Sequence, residues 1–495
     1  MRRVPLLSGS RVVVVPVDEE DVVLRPPPPP ERVADVAAAV RDAIRFPLSG
    51  PPFDSLVTRG GRATIVVEPA ALPLPGAALD PRQEALAAVI GELELRGIPD
   101  ERQTILVAGG LGRRLGQREL ERLLPPPQAR AFRGRVAVHD AEADDLVGLT
   151  AEARVHSALV ETDLVVCMSA AETVLHGGPA MLVAAGDALT ARSVAGADSL
   201  LEAAGSPEWR LALRVEAALE ERVPLAGISL VLDLPRLTGT FRGYPDDPAA
   251  IDRVRTSGLR LAFSALPAFV RRDVLGSVGW RVAATAAFAG RPSVAHAEAL
   301  LRGVALRGTR LEQPVDTLVV GTPWIGPHVP REPLNPITTA AIALGLVLRL
   351  YRDAFPLAED GTLVLVSPFT RTFAHETQAP YAATFAALRA APDANALRDL
   401  ERVAAADARA VEAYRAGRAC HPLLPYADWA GCAPALSRLG RVVVAGSRDA
   451  IAARALGFVP SHGIGSALEM AHGVAGGRAR VGVLLAPPYA PLLVG

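Results

Sequence analysis

The chain contains no lysine, and all 52 of its basic residues are arginine. Apart from its own amino terminus, it therefore has no amine for a Schiff base, an amide or any other covalent tether. Cysteine is almost as scarce: Cys167, Cys420 and Cys432 are too few and too scattered for a disulfide framework or a four-thiolate zinc site. That scarcity predicts a reducing, cytoplasmic setting. No long basic run is present and the formal net charge is -1, which argues against nucleic acid and anionic membrane as partners. A charge so near zero favours self-association, so a homo-oligomer is an expectation. The longest uncharged apolar stretch, ITTAAIALGLVL from Ile337, falls short of the roughly 20 residues a membrane span needs. Arg11 also breaks the N-terminal apolar run before a signal core is reached.

What the chain does have is enough apolar sequence for more than one core: 495 residues, half of them hydrophobic, predict two domains. Continuously apolar β-branched runs (ATIVVEP, TILVAGG, DLVVCMS, ISLVLDL, DTLVVGTP, GTLVLVSP, RVVVAGS) alternate with Ala- and Leu-rich helical stretches such as PRQEALAAVIGELELRG and NPITTAAIALGLVLRLYRDAF. Strands buried on both faces and separated by helices predict an α/β fold with mainly parallel sheets. The regular alternation breaks at about 234–285, which predicts an insertion with helices of its own. The domains are expected at 1–312 and 313–495, with a cleft between them and the boundary near RGTRLEQPVD.

In open parallel sheets ligands bind beyond the carboxyl ends of the strands, so the residues that follow each strand carry the candidate chemistry. After DLVVCMSA comes AETVLHGGPA, with Glu172 and His176 ahead of Gly177 and Gly178, a glycine pair that would let a ligand approach the backbone. After TILVA comes GGLGRRLGQ, in which Gly110, Gly112 and Gly116 offer a phosphate-type turn and Arg113 a cation, with Asp140 after the next strand as a possible ribose acid. Glu68 follows TIVV, and His139 stands at another strand end. In the second domain one loop carries His328, Arg331 and Glu332 and another Arg371, His375 and Glu376, a combination suited to binding an anionic small molecule and moving a proton. Against the functional reading of each loop stands that of solvated segments capped by local hydrogen bonds. His296, near a helix start, is read as a cap or packing residue.

Taken in order, these segments resemble the nickel-pincer lactate racemase family. ILVAGGLGRRLGQRELERLL looks like its second strand and turn, DLVVCMSAAETVLHGGPAMLVAAG like its central glycine-rich loop, and TLVVGTPW like the first strand of its C-terminal domain. The resemblance implies two α/β domains, a small hydroxy acid or related organic acid as substrate, and a nickel-pincer cofactor attached to a lysine after the paired glycines. Ala180 stands at that lysine's place, Gly112 at the place of a family histidine beside Arg113, and Leu72 at that of an arginine in the segment that keeps Glu68 as its acid. A second family histidine aligns near Val174, where His176 is the substitute, and no histidine lies between His176 and His296 to bind metal. The expected roles, from the strand-end residues together with the resemblance, are proton transfer by His176, Glu172, His328 and His375, with substrate or cofactor contacts from Glu68, Gly110, Gly112, Arg113, Gly177, Gly178, Arg331 and Glu332. No metal ligands are assigned and the cofactor stays open. The expectation is an isomerase-like enzyme without the tethered cofactor; the alternatives are a catalytically inactive binding or regulatory homologue and an NAD(P)-dependent oxidoreductase.

Overall fold

The computed structural model describes residues 2–69, 80–193, 196–202, 205–256, 258–324, 334–373, 376–391, 393–475 and 479–495. The strands that organise it are β1 (Arg2–Ser8), β2 (Arg11–Val17), β3 (Val22–Leu24), β4 (Ala63–Val67), β5 (Gln103–Val107), β6 (Arg135–Val138), β7 (Leu164–Ala170), β8 (Leu225–Leu232), β9 (Ala284–Gly290), β10 (Val315–Gly321), β11 (Leu357–Val366), β12 (Leu439–Ala445), β13 (Val459–Ser461) and β14 (Val481–Leu484). Two six-stranded sheets result, in the orders β9-β8-β7-β4-β5-β6 and β13-β12-β11-β10-β14-β3. Every pairing in them is parallel except that of β8 with β9. Strands β4, β7 and β8 are buried along their whole length, as their unbroken apolar runs demand of a sheet covered on both faces.

Helices cover the sheets where the sequence supplies their ends. Helix Pro81–Leu95 starts on Asp80, whose side chain caps it in a capping box with Gln83, and Pro81 fills the first-turn position where its missing N–H costs nothing. The connection between the antiparallel neighbours β8 and β9 carries the expected insertion, with helices Pro248–Thr256, Gly258–Ala265 and Ala268–Gly276. It packs on the N-terminal hairpin: Tyr244 donates from its phenol to Pro5 O at 3.1 Å, and Arg271 Nε to Ser10 O at 3.1 Å.

Two features depart from the expected layout. The first 24 residues do not stay with the first sheet, because β3 pairs with β14 at the edge of the second and Ser8 Oγ donates to Val366 O at 2.7 Å. The long helix expected from Asn335 is instead a short α-helical start, Pro336–Ala340, that widens into a π-helix at Ala341–Leu346, tightens into a 3-10 turn at Val347–Arg349 and ends in a short strand. Gly345 in this segment faces the backbone of Gly431. Among the described residues no helix is long and apolar enough to cross a membrane.

Candidate functional site

The order of the first sheet reverses at β4. The chain steps from β4 to β5 to β6, then returns to place β7 on the other side of β4. Beyond the carboxyl ends of β4 and β7 lies the crevice where doubly wound sheets bind ligands. Glu68 leaves β4 into that crevice, and the loop from Ala171 to Pro179 leaves β7 into it.

Glu68 is 7% exposed, and its Oε1 accepts the Gly177 N–H at 2.6 Å. Burial pushes its carboxyl up to about 7; the Gly177 amide opposes that rise, the charge of Glu172 adds to it and Arg82 opposes it. Two buried arginines stand nearby. Arg82 makes a two-pronged contact with Asp80, Nε to Oδ1 at 2.9 Å and Nη2 to Oδ2 at 2.7 Å. Arg307 donates to Gly303 O at 3.2 Å and to Ala171 O, fixing the root of the loop. Burial pulls Arg307 below its ordinary value, while Glu172 and Asp233 support its charge. The crevice therefore holds a carboxyl that is half protonated near neutral pH, beside a second, half-buried carboxylate and two guanidinium groups.

The paired glycines have a different use from the one their sequence suggests. Gly177 and Gly178 have φ of +96° and +52°, and a Cβ on Gly177 would overlap the imidazole of His296, which reaches over from helix Pro292–Arg307. His296 is fully buried. Its Nε2 lies 3.0 Å from Thr173 O and its Nδ1 3.3 Å from Ser229 Oγ; Ser169 Oγ lies 3.3 Å from Ser229 Oγ and accepts the Gly178 N–H at 3.2 Å. The space over the glycines is filled by protein. His176 is exposed at the turn closed by the Thr173–His176 bridge, and Glu172 is half-buried.

The β5 and β6 ends are clasped by the second domain. Gly110 N donates to Ala184 O at 2.9 Å and Gly112 N to Gly109 O at 2.9 Å, so these amides are spent within the protein. The helix after the turn, Gln117–Leu120, has four residues, and Arg113 pairs with Glu119 at 2.7 Å. Asp140 is held by Arg415 at 3.2 Å and Arg114 at 3.6 Å. These engagements remove the basis for a dinucleotide cradle. Tyr414 accepts the Ala141 N–H at 3.0 Å and donates to Gly110 O at 3.1 Å, and His421 lies 3.0 Å from Glu142. His139 is buried with its Nε2 2.7 Å from Gly186 O, and burial pulls it down to about 4. His328, Arg331, Glu332 and His375, together with Leu72, lie outside the described residues.

Sequence reasoning found Glu68, Glu172, His176 and the glycines but missed Arg82, Arg307, Ser169, Ser229 and Tyr414; His421, beside Cys420, reads from the sequence as an ordinary packed residue rather than a metal ligand. The serines had a signal, a hydroxyl inside otherwise apolar strands (MSA and ISLVL), as had Arg82 directly after its helix cap. Tyr414 had none, because its partners lie 273 and 304 residues away.

The nickel-pincer group does not fit the residues present. Its attachment point is occupied by Ala180, 6% exposed, and the chain has no lysine. The space over the neighbouring glycines belongs to His296, and among the described residues no three His, Cys, Asp or Glu side chains are grouped to hold a metal.

Residues 9–175 match the family described as lactate racemase N-terminal domain. No curated protein matches the chain. Among solved structures, the lactate racemase apoprotein from Thermoanaerobacterium thermosaccharolyticum matches with a TM-score of 0.62 and 13% identity, covering 100% of both chains. A Thermotoga maritima protein matches with a TM-score of 0.46 and 11% identity over 86% of this chain and 90% of its own. The chain thus carries a match to the lactate racemase N-terminal domain over residues 9–175, and along its whole length it has the fold of that lactate racemase apoprotein.

Proposed function

We propose that the protein is a lactate racemase-like, isomerase-type enzyme for a small hydroxy acid or related organic acid, working without a lysine-tethered cofactor, with Glu68 as the group that takes and returns the proton. The observation that carries this reading is the Glu68 carboxyl itself: buried at the topological switch point and pushed up to about 7, it is poised to act as acid or base at neutral pH. Glu172 beside it keeps the shared charge low, and Arg82 and Arg307 supply the positive field for a substrate carboxylate. His176 at the loop surface, and His328, His375, Arg331 and Glu332 in the second domain, are the further candidates for proton transfer and carboxylate binding.

The energetics narrow the substrate. A general base contributes about 10² to 10⁴ in rate, whereas enzymes typically supply roughly 8 to 23 kcal/mol of transition-state stabilisation. A C–H made acidic by a neighbouring carbonyl, as in an oxo acid or its enol tautomer, suits Glu68 better than the plain α-carbon of a hydroxy acid. The test is proton NMR of a panel of hydroxy and oxo acids in D2O. The expected result is enzyme-dependent exchange or interconversion of one substrate class, slowed about 100-fold or more in Glu68→Gln. Exchange unaffected by that substitution sinks the assignment of Glu68.

A second reading, a homologue that binds an organic acid without turnover, draws support from His296 occupying the space over the paired glycines. Its mark is thermal stabilisation by an acid that shows no exchange. Stabilisation by NAD(P) would instead favour an oxidoreductase.

A further inference from the structure

Five buried polar groups under the β7 loop form one line of four hydrogen bonds with a determined direction. Thr173 O can only accept, so the contact at 3.0 Å requires the proton of the imidazole on His296 Nε2. His296 Nδ1 is then an acceptor, and Ser229 Oγ at 3.3 Å must donate to it. Ser229 Oγ, having donated, receives the hydroxyl of Ser169 at 3.3 Å, and Ser169 Oγ accepts the Gly178 N–H at 3.2 Å. Only the neutral Nε2–H form of the ring satisfies all four contacts, and burial, which pulls His296 down to about 4, keeps it neutral at physiological pH. The chain of donors begins at the glycine turn and returns to it at Thr173. It ties together β7, β8 and helix Pro292–Arg307.

We infer that His296 is a positioning residue of the Glu68 site: through Ser229, Ser169 and Thr173 it holds the Gly177–Gly178 turn so that the Gly177 N–H stays on the Glu68 carboxylate. The steric fit argues the same way, since the ring fills the space that the two glycines leave. Among the described residues, the groups facing Glu68 are the Gly177 amide and Glu172 from the β7 loop, Cys167 from β7 and Arg82 from helix Pro81–Leu95. Those facing His296 are His176, Arg307 and the Trp209 ring, whose centroid lies 6.3 Å away. The relay places two of these, the Gly177 amide and Glu172 beside Thr173, and of the two the amide has the larger effect on Glu68. Loosening the relay withdraws a donor from the charged form of Glu68 and raises its affinity for the proton.

The inference rests on the Glu68 reading for its catalytic meaning, but its test does not require turnover. In full-length protein labelled with 13C at glutamate carboxyl carbons, the Glu68 signal is assigned by its loss in Glu68→Gln and titrated by NMR. His296→Phe keeps the volume over the glycines and removes both hydrogen bonds; the expected outcome is a Glu68 titration moved upward by about one pH unit, a tenfold change in proton affinity. Ser229→Ala, the smaller change, should move it in the same direction by less, and it decides alone if the Phe variant does not fold. A Glu68 titration that stays in place or moves downward in the folded variants overturns the inference. If the titration moves as expected while Glu68→Gln leaves exchange unaffected, the positioning stands and the catalytic reading falls.

Discussion

The first sheet has two halves at its carboxyl edge, and they are closed by different means. Over β4 and β7 the closure comes from the same domain: Glu68 reaches the loop, His296 fills the glycine turn and Arg307 ties down Ala171. Over β5 and β6 it comes from the second domain, through Tyr414, Arg415 and His421. The first closure is dry, sterically tight and able to shift a carboxyl by burial. The second joins polar clasps, some of them part-exposed, to a small buried core in which Tyr414 and Leu423 pack with Leu111, Ala141, Ala188 and Ala191.

The largest expected effect breaks the dry half. Gly177→Ala adds a Cβ onto the His296 ring at a backbone conformation L-residues avoid, and should cost about 3–5 kcal/mol in denaturant unfolding. A variant as stable as the parent would mean that the ring has room to move and that the closure is loose.

The next effect tests the electrostatics of the same half. Glu68 titrates near 7 in the folded protein against an ordinary 4.5, so between those values the folded state binds the proton that the unfolded state has lost. Its contribution to stability is thus full below pH 4.5, declines up to pH 7 and is flat above. Glu68→Gln removes that decline. Relative to the parent, the variant should gain on the order of 2 kcal/mol between pH 5 and pH 8. Parallel pH profiles of melting temperature in the two proteins would count against a raised Glu68.

A smaller effect is expected at the clasp. Tyr414→Phe strips Gly110 O and Ala141 N of a shared partner and should cost about 1–3 kcal/mol, with faster amide exchange at 108–112 and 139–142 and none added at 171–178. Exchange that rises at both places would merge the two halves into one cooperative unit. Smallest of all, Arg113→Ala breaks a part-exposed pair with Glu119 and should change stability by about 0–0.5 kcal/mol. A large loss of ligand affinity in that variant would instead give Arg113 the binding role its sequence position suggests.

Much of the frame was legible in the chain. Unbroken apolar runs marked strands buried on both faces, the interruption at about 234–285 marked the insertion between β8 and β9, and Glu68 stood where a strand end exposes a side chain to the crevice. The long helix after Asn335 was not legible, because helical periodicity does not distinguish an α-helix from one that widens into a π-turn opposite Gly431. The glycine pair was legible as a close approach. Whether the approaching group is a ligand or a side chain more than a hundred residues away is a question periodicity cannot answer.

The sequence by itself determined what this protein lacks and what its strands must be: without lysine it has no side-chain amine to tether a cofactor, and its β-branched apolar runs read as strands with both faces covered. The tertiary structure alone decided that Glu68 is shielded from water, that His296 occupies the glycine turn and that Tyr414 closes the neighbouring edge. The physical reason is range. Strand character and the absence of an amine are properties of residues and their near neighbours, whereas desolvation and close contact depend on groups that only folding brings together.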